Sequence, residues 1–591
     1  MILQSLVEYY DRMMANPDKE IAPYGFEIKP LQFLIVIDRD GHFINIEDVR
    51  EKTGSRLTGK NFLLPRAKKR SGSKSYASTF LLWDHVGYLL GLPTEDEKST
   101  KQHNTWLAML ESLPEELTQD QGVAAIIKFY KYEEDKNALS SPVIEECLKS
   151  VQCNMTFRIT GDIPVPCREA VRKFVNMNGP DVDNLQPNGM SDDTGKSIGT
   201  CLVTGVKGVI ARTHGNTSIN KDSKSLVSFQ KNSGYDSYGK EQGYNAPIIE
   251  QTEFAYVTAL NTLLKSSSQR MNVGDVVTVF WSEKETSFEK DVTSLFQEPE
   301  KDDPNSKNEK VRAVLNSIHS GTYLDDDGDT RFYILGLSPN SARISVRFWH
   351  VGTVALFASR IRQHFEDLMI IKPPNEQEYY SLWRLLVNIS TQDKSENIPP
   401  NLAGEFLRAI LEGTLYPATL LQATLRRIRS DSQNRVKPVR AALIKAYLNR
   451  YYKFYSNHNV KEVGIELDHN QPSIGYQLGR LFATFEKIQE EANPGLNATI
   501  RDRYYGAACA MPVSVFPILT RLKNHHLSKL ENRGRVINFE RLIGEIMSNL
   551  SDFPAHLDLH EQGRFAIGYY HQRQDFYKKK ETGVDIVEQA I

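Results

Sequence analysis

The chain has 591 residues, and its 72 lysines and arginines nearly balance its 74 aspartates and glutamates, which leaves a formal net charge of −2. A single hydrophobic core rarely serves so long a chain, so roughly two to four domains are expected. The near-neutral charge excludes nucleic-acid binding by the molecule as a whole and restricts any such binding to local basic segments.

The cysteines and the apolar segments indicate the compartment. No two of the five cysteines form a Cys-x-x-Cys pair, which favours reduced thiols in a cytosol; they are Cys147, Cys153, Cys167, Cys201 and Cys509. No apolar run reaches the length of a membrane span. Residues 1–10 lack the basic start and apolar core of a signal peptide. We therefore expect a soluble, cytoplasmic protein with no membrane partner.

The first predicted elements are two paired strands. Residues 31–37 are apolar and partly β-branched, residues 38–41 supply Asp-Gly turn chemistry, and residues 43–46 form the second strand. A loop rich in glycine, lysine and serine follows, at roughly residues 52–78. Residues 79–90 have a helical pattern that ends before Gly91 and Pro93. Residues 104–150 are predicted to be helical as well, with breaks at Pro114 and Pro142.

The middle of the chain changes character. Residues 176–247 are rich in glycine, serine, asparagine and aspartate, which predicts long loops and short strands. A loop of such length is uncommon inside a folded domain unless it has a function or is disordered. A helix is predicted at residues 248–265 and an exposed linker at 297–310. Apolar and alternating segments predict three further strands, at residues 276–281, 330–335 and 342–349.

From about residue 375 to the end the pattern is helical, with prolines near the expected helix ends. The predicted fold class is therefore α+β: a mixed α/β N-terminal body with long loops, followed by an all-helical C-terminal bundle. Four segments are predicted: an N-terminal α+β region with a basic loop, a loop-rich β/α region, a basic helical region and a helical bundle, at residues 1–150, 151–372, 373–470 and 471–591.

Several motifs of catalytic or metal sites are incomplete. Thr194–Ser197 resembles the end of a phosphate-binding loop, but the glycine required five residues before Gly195 is replaced by Met190. The acidic run Asp325–Asp329 would place Tyr323 at the first ligand position of an EF-hand, so a tight turn between strands is the better interpretation. These failures disfavour an ATPase or a calcium site.

The histidines give no metal signal either. His525 and His526 are adjacent, so on a helix their side chains diverge by about 100°. His560 and His571 are best explained as residues on a helix surface or as buried residues with hydrogen-bond partners. A Ser-His-Asp triad cannot be identified from a single sequence. We therefore predict no catalytic residue, no metal and no cofactor.

The first segment with nucleic-acid chemistry is residues 60–76, which contains six basic residues and no acidic one. Lysine and arginine neutralise phosphates, and serine hydroxyls donate to phosphate oxygens. Tyr76 offers a ring for stacking. A solvated charged loop explains the same composition and stays open as an alternative. The candidate residues are Lys60, Asn61, Arg66, Lys68, Lys69, Arg70, Ser71, Ser73, Lys74 and Tyr76.

The second segment is residues 201–247, where lysine, asparagine, glutamine, tyrosine and glycine alternate. Amide side chains carry both a donor and an acceptor, which suits base edges, and tyrosines can stack on bases. A glycine-rich structural loop packed on the core is the competing interpretation. The candidate residues are Lys207, Lys224, Gln230, Asn232, Lys240, Gln242 and Asn245.

The third segment is the helical tract 426–453, in which nine basic residues face a single acid, Asp431. On helices such residues form a stripe that can follow a phosphate backbone. A solvated helix face remains the alternative, and the tyrosines of the tract fit a core better than a stacking surface. The candidate contacts here are Arg426, Arg427 and Arg440.

These segments, in this order, resemble one family: the large subunit of the type I-C CRISPR Cascade complex. The resemblance covers most of the chain, and it is the ordered set of matching stretches that is specific. The stretches are Met1–Tyr10, Cys201–Pro247, Tyr333–Asn340, Arg343–Trp349, Tyr476–Ala483, Arg501–Tyr505, Phe553–Leu557 and Glu561–Arg573.

The resemblance implies a non-catalytic subunit of a crRNA-guided complex that acts in antiviral defence. It implies that guide pairing reads the target, while the protein reads a short adjacent motif, the PAM, on double-stranded DNA. Duplex opening and docking of a helicase–nuclease are implied too. The implied partners are the crRNA, PAM-bearing target DNA, that effector, and the backbone, guide 5′-end-binding and small subunits. A C-terminal bundle that resembles the small subunit, released by internal translation initiation, is implied for roughly the last 120 residues.

Within that implied role, the residue assignments come from chemistry alone. We hypothesise that the six basic residues of the first segment grip duplex phosphates, and that the basic helices hold a separated strand. The PAM edges would be read by Asn61, Gln230, Asn232, Gln242 or Asn245. Two alternatives stay open: a metal-dependent nuclease or ATPase, and an assembly protein without DNA contact.

Overall fold

The computed structural model divides the chain into two compact units. Unit 1 comprises Leu3–Thr217 and Ser225–Thr262 with Met1, and unit 2 comprises Ser218–Lys224 and Leu263–Ile591 with Ile2. The α+β fold class is confirmed. The structure describes residues 1–17, 21–53, 56–67, 70, 75–149, 153–178, 197–219, 224–232, 234, 238–273, 276–296, 312, 315–316, 328–339, 343–399, 401–431, 435–455 and 460–578. The predicted boundaries at residues 150, 372 and 470 fall inside the two units, so we keep the four segments as a proposal about function.

Residues 1–265 contain helices and short strands. The helices are α1 (Ile2–Met14), α2 (Val86–Leu89), α3 (Glu97–Glu111), α4 (Glu115–Thr118), α5 (Gln121–Lys131), α6 (Glu134–Leu139), α7 (Ile144–Lys149), α8 (Glu169–Asn178) and α9 (Glu250–Lys265). The strands are β1 (Phe26–Leu31), β2 (Phe33–Ile37), β3 (Phe43–Asp48), β4 (Glu51–Thr53), β5 (Arg56–Thr58), β6 (Lys60–Pro65), β7 (Trp83–His85), β8 (Asn154–Ile159), β9 (Ile198–Thr200), β10 (Lys207–Val209), β11 (Asn216–Thr217) and β12 (Lys224–Ser225).

A four-stranded mixed sheet in the order β3-β2-β8-β7 forms the centre of unit 1. Strand β2 is antiparallel to β3 and parallel to β8, and all five of its residues are buried. A β-branched, apolar strand covered on both faces is typical of this central position. The predicted strand pair at residues 31–46 is therefore confirmed, as are the helices between residues 104 and 150 and the helix near 250–265.

The predicted loop at residues 52–78 is wrong for its first half. Strands β4 and β5 form a hairpin, and β6 pairs with β1 in antiparallel register from Phe26↔Pro65 to Leu31↔Lys60. Leu64 is buried, and the indole of Trp83 donates to the carbonyl of Pro65 at 2.9 Å. The partner strand lies some thirty residues away, so local composition gave no sign of this pairing.

The predicted helix at residues 79–90 is also wrong in its first half. Trp83–His85 form strand β7, which pairs with β8, and only Val86–Leu89 are helical. The ring of His85 accepts from the Gly87 N–H and caps this short helix. Pairing with β8 satisfies backbone groups that a longer helix would have satisfied internally, and tertiary contact overrides the local helical pattern here.

The described residues between 266 and 578 form a sheet covered by helices. The strands are β13 (Arg270–Val273), β14 (Val276–Ser282), β15 (Arg331–Pro339) and β16 (Ile344–Thr353). The helices are α10 (Ser287–Phe296), α11 (Val354–Asp367), α12 (Leu382–Ile389), α13 (Leu402–Glu412), α14 (Ala418–Ser430), α15 (Pro438–Phe454), α16 (Ile474–Ala492), α17 (Ile500–Ala510), α18 (Pro512–Leu527), α19 (Arg533–Ser548) and α20 (Leu559–Tyr577).

The four strands of unit 2 form one antiparallel sheet in the order β13-β14-β15-β16, and the three predicted strands are confirmed within it. One hydrophobic core runs from this sheet into the helices that follow. The helical prediction for the C-terminal part is confirmed too. The predicted linker at residues 297–310 lies outside the described residues. Along the described part of the chain, no helix combines the length and apolarity needed to cross a membrane.

Helices α16 and α20 approach each other closely because glycines lie where they meet. A Cβ on Gly479 would lie within 3.0 Å of the Phe565 carbonyl oxygen, and a Cβ on Gly568 would lie as close to that of Tyr476. Since neither atom exists, the two backbones pack directly together. The many contacts of this pair anchor the bundle.

Buried polar side chains add specific bonds to this helix pair. Glu486 on α16 is fully buried and accepts from Tyr569 at 2.6 Å, from Arg573 at 2.9 Å and from Thr499 at 2.8 Å. A buried carboxylate is tolerated only with such partners. The Tyr476 hydroxyl meets Nδ1 of His571 at 2.9 Å, and burial lowers the pKa of His571 to about 3.

We expect Gly479→Ala to weaken unit 2 by roughly 1–3 kcal/mol, because its methyl group overpacks the helix contact. The measurement is urea unfolding of the full chain followed by circular dichroism. Gly544→Ala on α19 is the matched control, since its Cβ meets nothing within 4 Å. The control should gain about 0.5–1 kcal/mol from helix propensity alone. Equal effects of the two variants would contradict the close-packing account.

We expect His571→Gln to flatten the acid dependence of stability. The pKa of His571 is about 3 in the folded chain and 6.5 ordinarily, so between these values the unfolded chain binds more protons and stability falls as pH falls. Thermal unfolding from pH 7 to about pH 4 should show a smaller loss for the variant than for the parent. His525→Gln, on an exposed site, is the control and should keep the parental slope.

Candidate nucleic-acid interface

Arg70, one of the six predicted phosphate contacts, forms a buried ion pair instead. Its guanidinium donates to both carboxylate oxygens of Asp84, with Nη1 to Oδ1 at 3.0 Å. The guanidinium lies between two aromatic rings, 3.6 Å from the centre of Phe80 and 4.3 Å from that of Tyr88. Asp84 is buried and also accepts from Thr79 at 2.9 Å. The geometry therefore does not support a phosphate contact for Arg70, because both terminal nitrogens of its guanidinium already bind a carboxylate.

The other predicted residues of this segment divide into three groups. Lys60 and Asn61 are exposed at the start of β6, opposite Leu31 and Pro30 of β1. Arg66 is half-buried, with Nη1 3.6 Å from Glu253 on α9, while the ring of Tyr76 faces Lys101 at 5.7 Å. The remaining candidates lie outside the described residues; they are Lys68, Lys69, Ser71, Ser73 and Lys74.

The second segment begins with a tight hairpin between β9 and β10. The Gly205 N–H donates to the Cys201 carbonyl at 2.9 Å, and Gly205 has a φ of 73°, which a glycine adopts without strain. Exposed Lys207 follows as the first residue of β10. Lys224 is half-buried at the start of β12. The hairpin thus holds Lys207 on the surface beside a rigid turn.

A surface turn region covers the described residues between 226 and 245. Gln230, Asn232 and Lys240 are exposed there, and the side chain of Lys231 pairs with Glu241 at 2.9 Å. Tyr238 is 100 % exposed. Positive φ angles bend the backbone at Asn232 (59°), Gly234 (79°), Tyr238 (53°), Gly239 (73°) and Gln242 (47°). These turns present an amide, a lysine and a free aromatic ring to solvent together.

Two amides of this segment already have partners inside the protein. Asn245 donates to the carbonyl oxygens of Lys240 and Gln242, each at 3.1 Å. The side-chain oxygen of Gln242 accepts from Nε of Arg212 at 2.9 Å. Because these bonds hold the turn region together, we assign Gln242 and Asn245 a structural role and remove them from the residues proposed to read base edges.

The basic tract 426–453 does not form one exposed stripe. Arg440 is 0 % exposed and its Nη1 donates to Asp431 at 2.9 Å, while its Nε donates to the Asn388 carbonyl at 2.9 Å. Arg427 is largely buried between Asp393 and Asp431. Burial lowers the pKa of Lys445, whose Nζ donates to the Asp367 carbonyl. Only Arg426, of the three candidates here, is exposed. The predicted stripe is corrected because Asp393, which lies outside the tract, supplies a second acid.

The structure also bears on metals and on the incomplete motifs. Among the described residues, no three His, Cys, Asp or Glu side chains come together as a metal site. The run Thr194–Lys196 and the acids Asp325–Asp327 lie outside those residues. The exposed candidate residues described above carry cationic and amide side chains, and groups of these kinds bind nucleic acid.

The candidate residues chosen from the sequence did not include Tyr238, Arg212 or His214, although the tyrosines of residues 201–247 were noted as stacking groups. Tyr238 lies in a Gly-rich, Lys-containing stretch, and that context could have selected it. His214 is buried, and its ring nitrogen Nδ1 lies 2.5 Å from the hydroxyl of Tyr256 on α9. No local pattern connects residues 42 positions apart in this way, so only the fold reveals this pair.

Comparison with known proteins gives one family. A family model described as CRISPR-associated protein (Cas_Csd1) matches residues 6–577, which is nearly the whole chain. No curated protein matches the chain.

We expect Asp84→Asn to destabilise unit 1 by about 3–5 kcal/mol, because it leaves the Arg70 guanidinium buried without its counter-charge. Arg70→Lys should also destabilise, since lysine cannot make the two-point contact between the rings. The measurement is thermal unfolding of the full chain, and Asp40→Asn at an exposed carboxylate is the control, with a change within about 0.5 kcal/mol. An Arg70→Lys chain of parental stability and weakened DNA binding would restore Arg70 as a phosphate contact.

Proposed function

The chain belongs to the Cas_Csd1 family of CRISPR-associated proteins and is a large subunit of type I-C Cascade, and from that membership we propose that it grips target DNA beside the guide-paired strand. The observation that carries the proposal is the turn region of unit 1. Exposed Asn232, Tyr238 and Lys240 lie on it in a molecule whose net charge is only −2. Local positive charge with a free aromatic ring suits a polyanion with bases.

Phosphate contact is the first part of the proposed role. Lys60, Lys207, Lys240 and Arg426 have exposed side chains, so their charge is available to a DNA backbone. The predicted contacts Lys68, Lys69 and Lys74 remain part of the proposal. Opening duplex DNA costs about 1.4 kcal/mol per base-pair step, so several phosphate contacts are needed to offset the first steps.

Recognition of the PAM is the second part. Gln230, Asn232 and Asn61 are exposed amides of the predicted set. An amide that binds a base edge at two points discriminates by about 1–3 kcal/mol. We propose that these amides read the PAM while the lysines hold the backbone, and that R-loop formation follows.

The remaining parts of the proposal follow from family membership. We propose a non-catalytic scaffold that contacts the crRNA, the other Cascade subunits and the helicase–nuclease. The C-terminal helices, anchored by the α16–α20 pair, would act as the bundle that resembles the small subunit. A metal-dependent cleavage assay on the isolated chain separates this scaffold from a nuclease.

We expect the double variant Lys207→Ala/Lys240→Ala to weaken the binding of target DNA by the assembled complex at every salt concentration. Its slope of log affinity against log salt should fall by roughly 1 to 2, since each lost phosphate contact removes about 0.9. Gel shifts with PAM-bearing and PAM-less duplex at four salt concentrations measure both values. The loss should be similar for the two duplexes, because phosphates carry no sequence information.

The matched control is Lys98→Ala/Lys131→Ala, which removes two exposed lysines from α3 and α5. That variant should keep the parental slope. The same gel shift is run with complex assembled without this subunit. Equal binding of target by that complex would overturn the proposed role, and an unchanged slope for Lys207→Ala/Lys240→Ala would overturn the residue assignment alone.

A further inference from the structure

A cleft of about 610 Å³ lies in unit 2, and the proposed DNA contacts make no use of it. Its walls come mainly from α11, from the turn that follows α13 and from the C-terminal half of α15. Pockets that bind small molecules typically measure about 300–1,000 Å³. The cleft therefore has room for a ligand of the size of a nucleotide.

Bonds that converge on Asp367 hold the walls of the cleft in place. Gln363 donates to the Asp367 carboxylate at 2.8 Å, and Nε of Arg450 pairs with the same carboxylate. Lys445 donates to the Asp367 carbonyl at 2.9 Å. Arg450 also donates to the Thr414 carbonyl at 3.1 Å, which joins α15 to the turn after α13. Walls that are built before binding lower the entropy cost of holding a ligand.

Positive charge is in excess along these walls. Three acids that line the cleft each pair with an arginine; they are Glu366, Asp367 and Glu412. Three cations that line it have no ion pair among the described residues; they are Arg360, Lys445 and Lys453. Glu462 is a fourth acid on the walls. The unpaired cations therefore favour an anionic ligand.

Lys445 is the cation that gains most from an anion. The residue is only 5 % exposed, and burial lowers its pKa. Its ammonium group has three N–H donors, of which the Asp367 carbonyl accepts one. A buried ammonium group without a carboxylate partner is unfavourable, so an anion bound in the cleft would stabilise it.

An exposed aromatic ring lines the cleft next to Lys453. Phe454 is 61 % exposed, and nucleobases stack on rings of this kind. Glu462 is exposed on the same walls, and carboxylates accept hydrogen bonds from ribose hydroxyls in nucleotide sites. The cleft thus combines groups that suit a phosphate, a base and a ribose.

We propose that this cleft binds one free ribonucleoside phosphate. The phosphates contact Arg360, Lys445 and Lys453. The base stacks on Phe454, and the ribose hydroxyls donate to Glu462. A long DNA backbone suits the cleft less well, because its phosphates would be repelled by the acids that share the walls. This site is separate from the proposed DNA-binding role and does not depend on it.

The test is equilibrium dialysis of the full chain with labelled ATP, GTP, CTP and UTP, one at a time. At least one of them should bind, with one molecule per chain. Its deoxyribose form should bind roughly fivefold more weakly, because a hydroxyl that donates to a carboxylate is lost. Tripolyphosphate should bind more weakly still, since it has no base or ribose. Failure of all four nucleotides to bind, or equal binding of tripolyphosphate, would overturn the proposal.

Variants then locate the bound nucleotide. Lys453→Ala/Phe454→Ala should weaken its binding roughly tenfold or more, because a phosphate contact and a stacking surface are lost. Both side chains are exposed, so this variant should unfold at the parental temperature when no nucleotide is present. Added nucleotide should raise the unfolding temperature of the parent and leave that of the variant almost unchanged.

The matched control is Lys131→Ala/Tyr132→Ala, which removes an exposed lysine and an exposed aromatic ring from the C-terminal end of α5. The control should bind the nucleotide as the parent does. Parental binding by Lys453→Ala/Phe454→Ala, or an equal loss in both double variants, would place the nucleotide elsewhere and overturn the proposal.

Discussion

Charge pairing in the interior is the constraint on which the structure of this protein depends. Arg440 is fully buried against Asp431, while the largely buried side chains of Arg70 and Arg573 pair with the buried carboxylates of Asp84 and Glu486. A buried guanidinium is tolerated only with such partners, because removal from water costs more than any single contact returns. Each pair joins segments that lie far apart or stabilises a turn, so the pairs help to specify how the helices and strands meet.

This pairing also divides the basic residues into two classes. Basic residues that pair with a carboxylate or a carbonyl in the folded chain stabilise the structure, as in most of the tract at residues 426–453. Those on turns and strand ends, such as Lys207, Lys240 and Lys60, keep their charge in water. A nearly neutral chain can in this way present positive charge to DNA at selected places, without the strong general attraction of a basic protein.

The two units contribute differently to the proposed role. Unit 1 carries the turn region, which lies between strand β12 and helix α9. Unit 2 is a sheet covered by helices, in which the glycines of α16 and α20 allow direct backbone packing. Rigid elements of this kind hold loops in place, and loops supported by a rigid scaffold commonly carry the binding residues.

Local pattern was enough for the strands and helices whose apolar residues repeat regularly. Strand β16, strand β2 with its continuous apolar run and the helical C-terminal part were all correctly predicted, because the spacing of apolar residues indicates the type of element. Family membership was likewise readable from the ordered set of stretches. The sequence also showed the basic segments and therefore which charged residues they contain.

Contacts between residues that are distant in the chain determined the features that the sequence analysis did not predict. Strand β6 looked like a loop because β1, its partner, lies some thirty residues away, and Arg440 looked like a surface residue because Asp393 comes from another segment. His214 was not selected because Tyr256, which contacts its ring, lies 42 residues away in the chain. Side-chain ionisation, hydrogen bonding and exposure depend on what the folded chain brings near a residue, and a linear pattern does not contain that information.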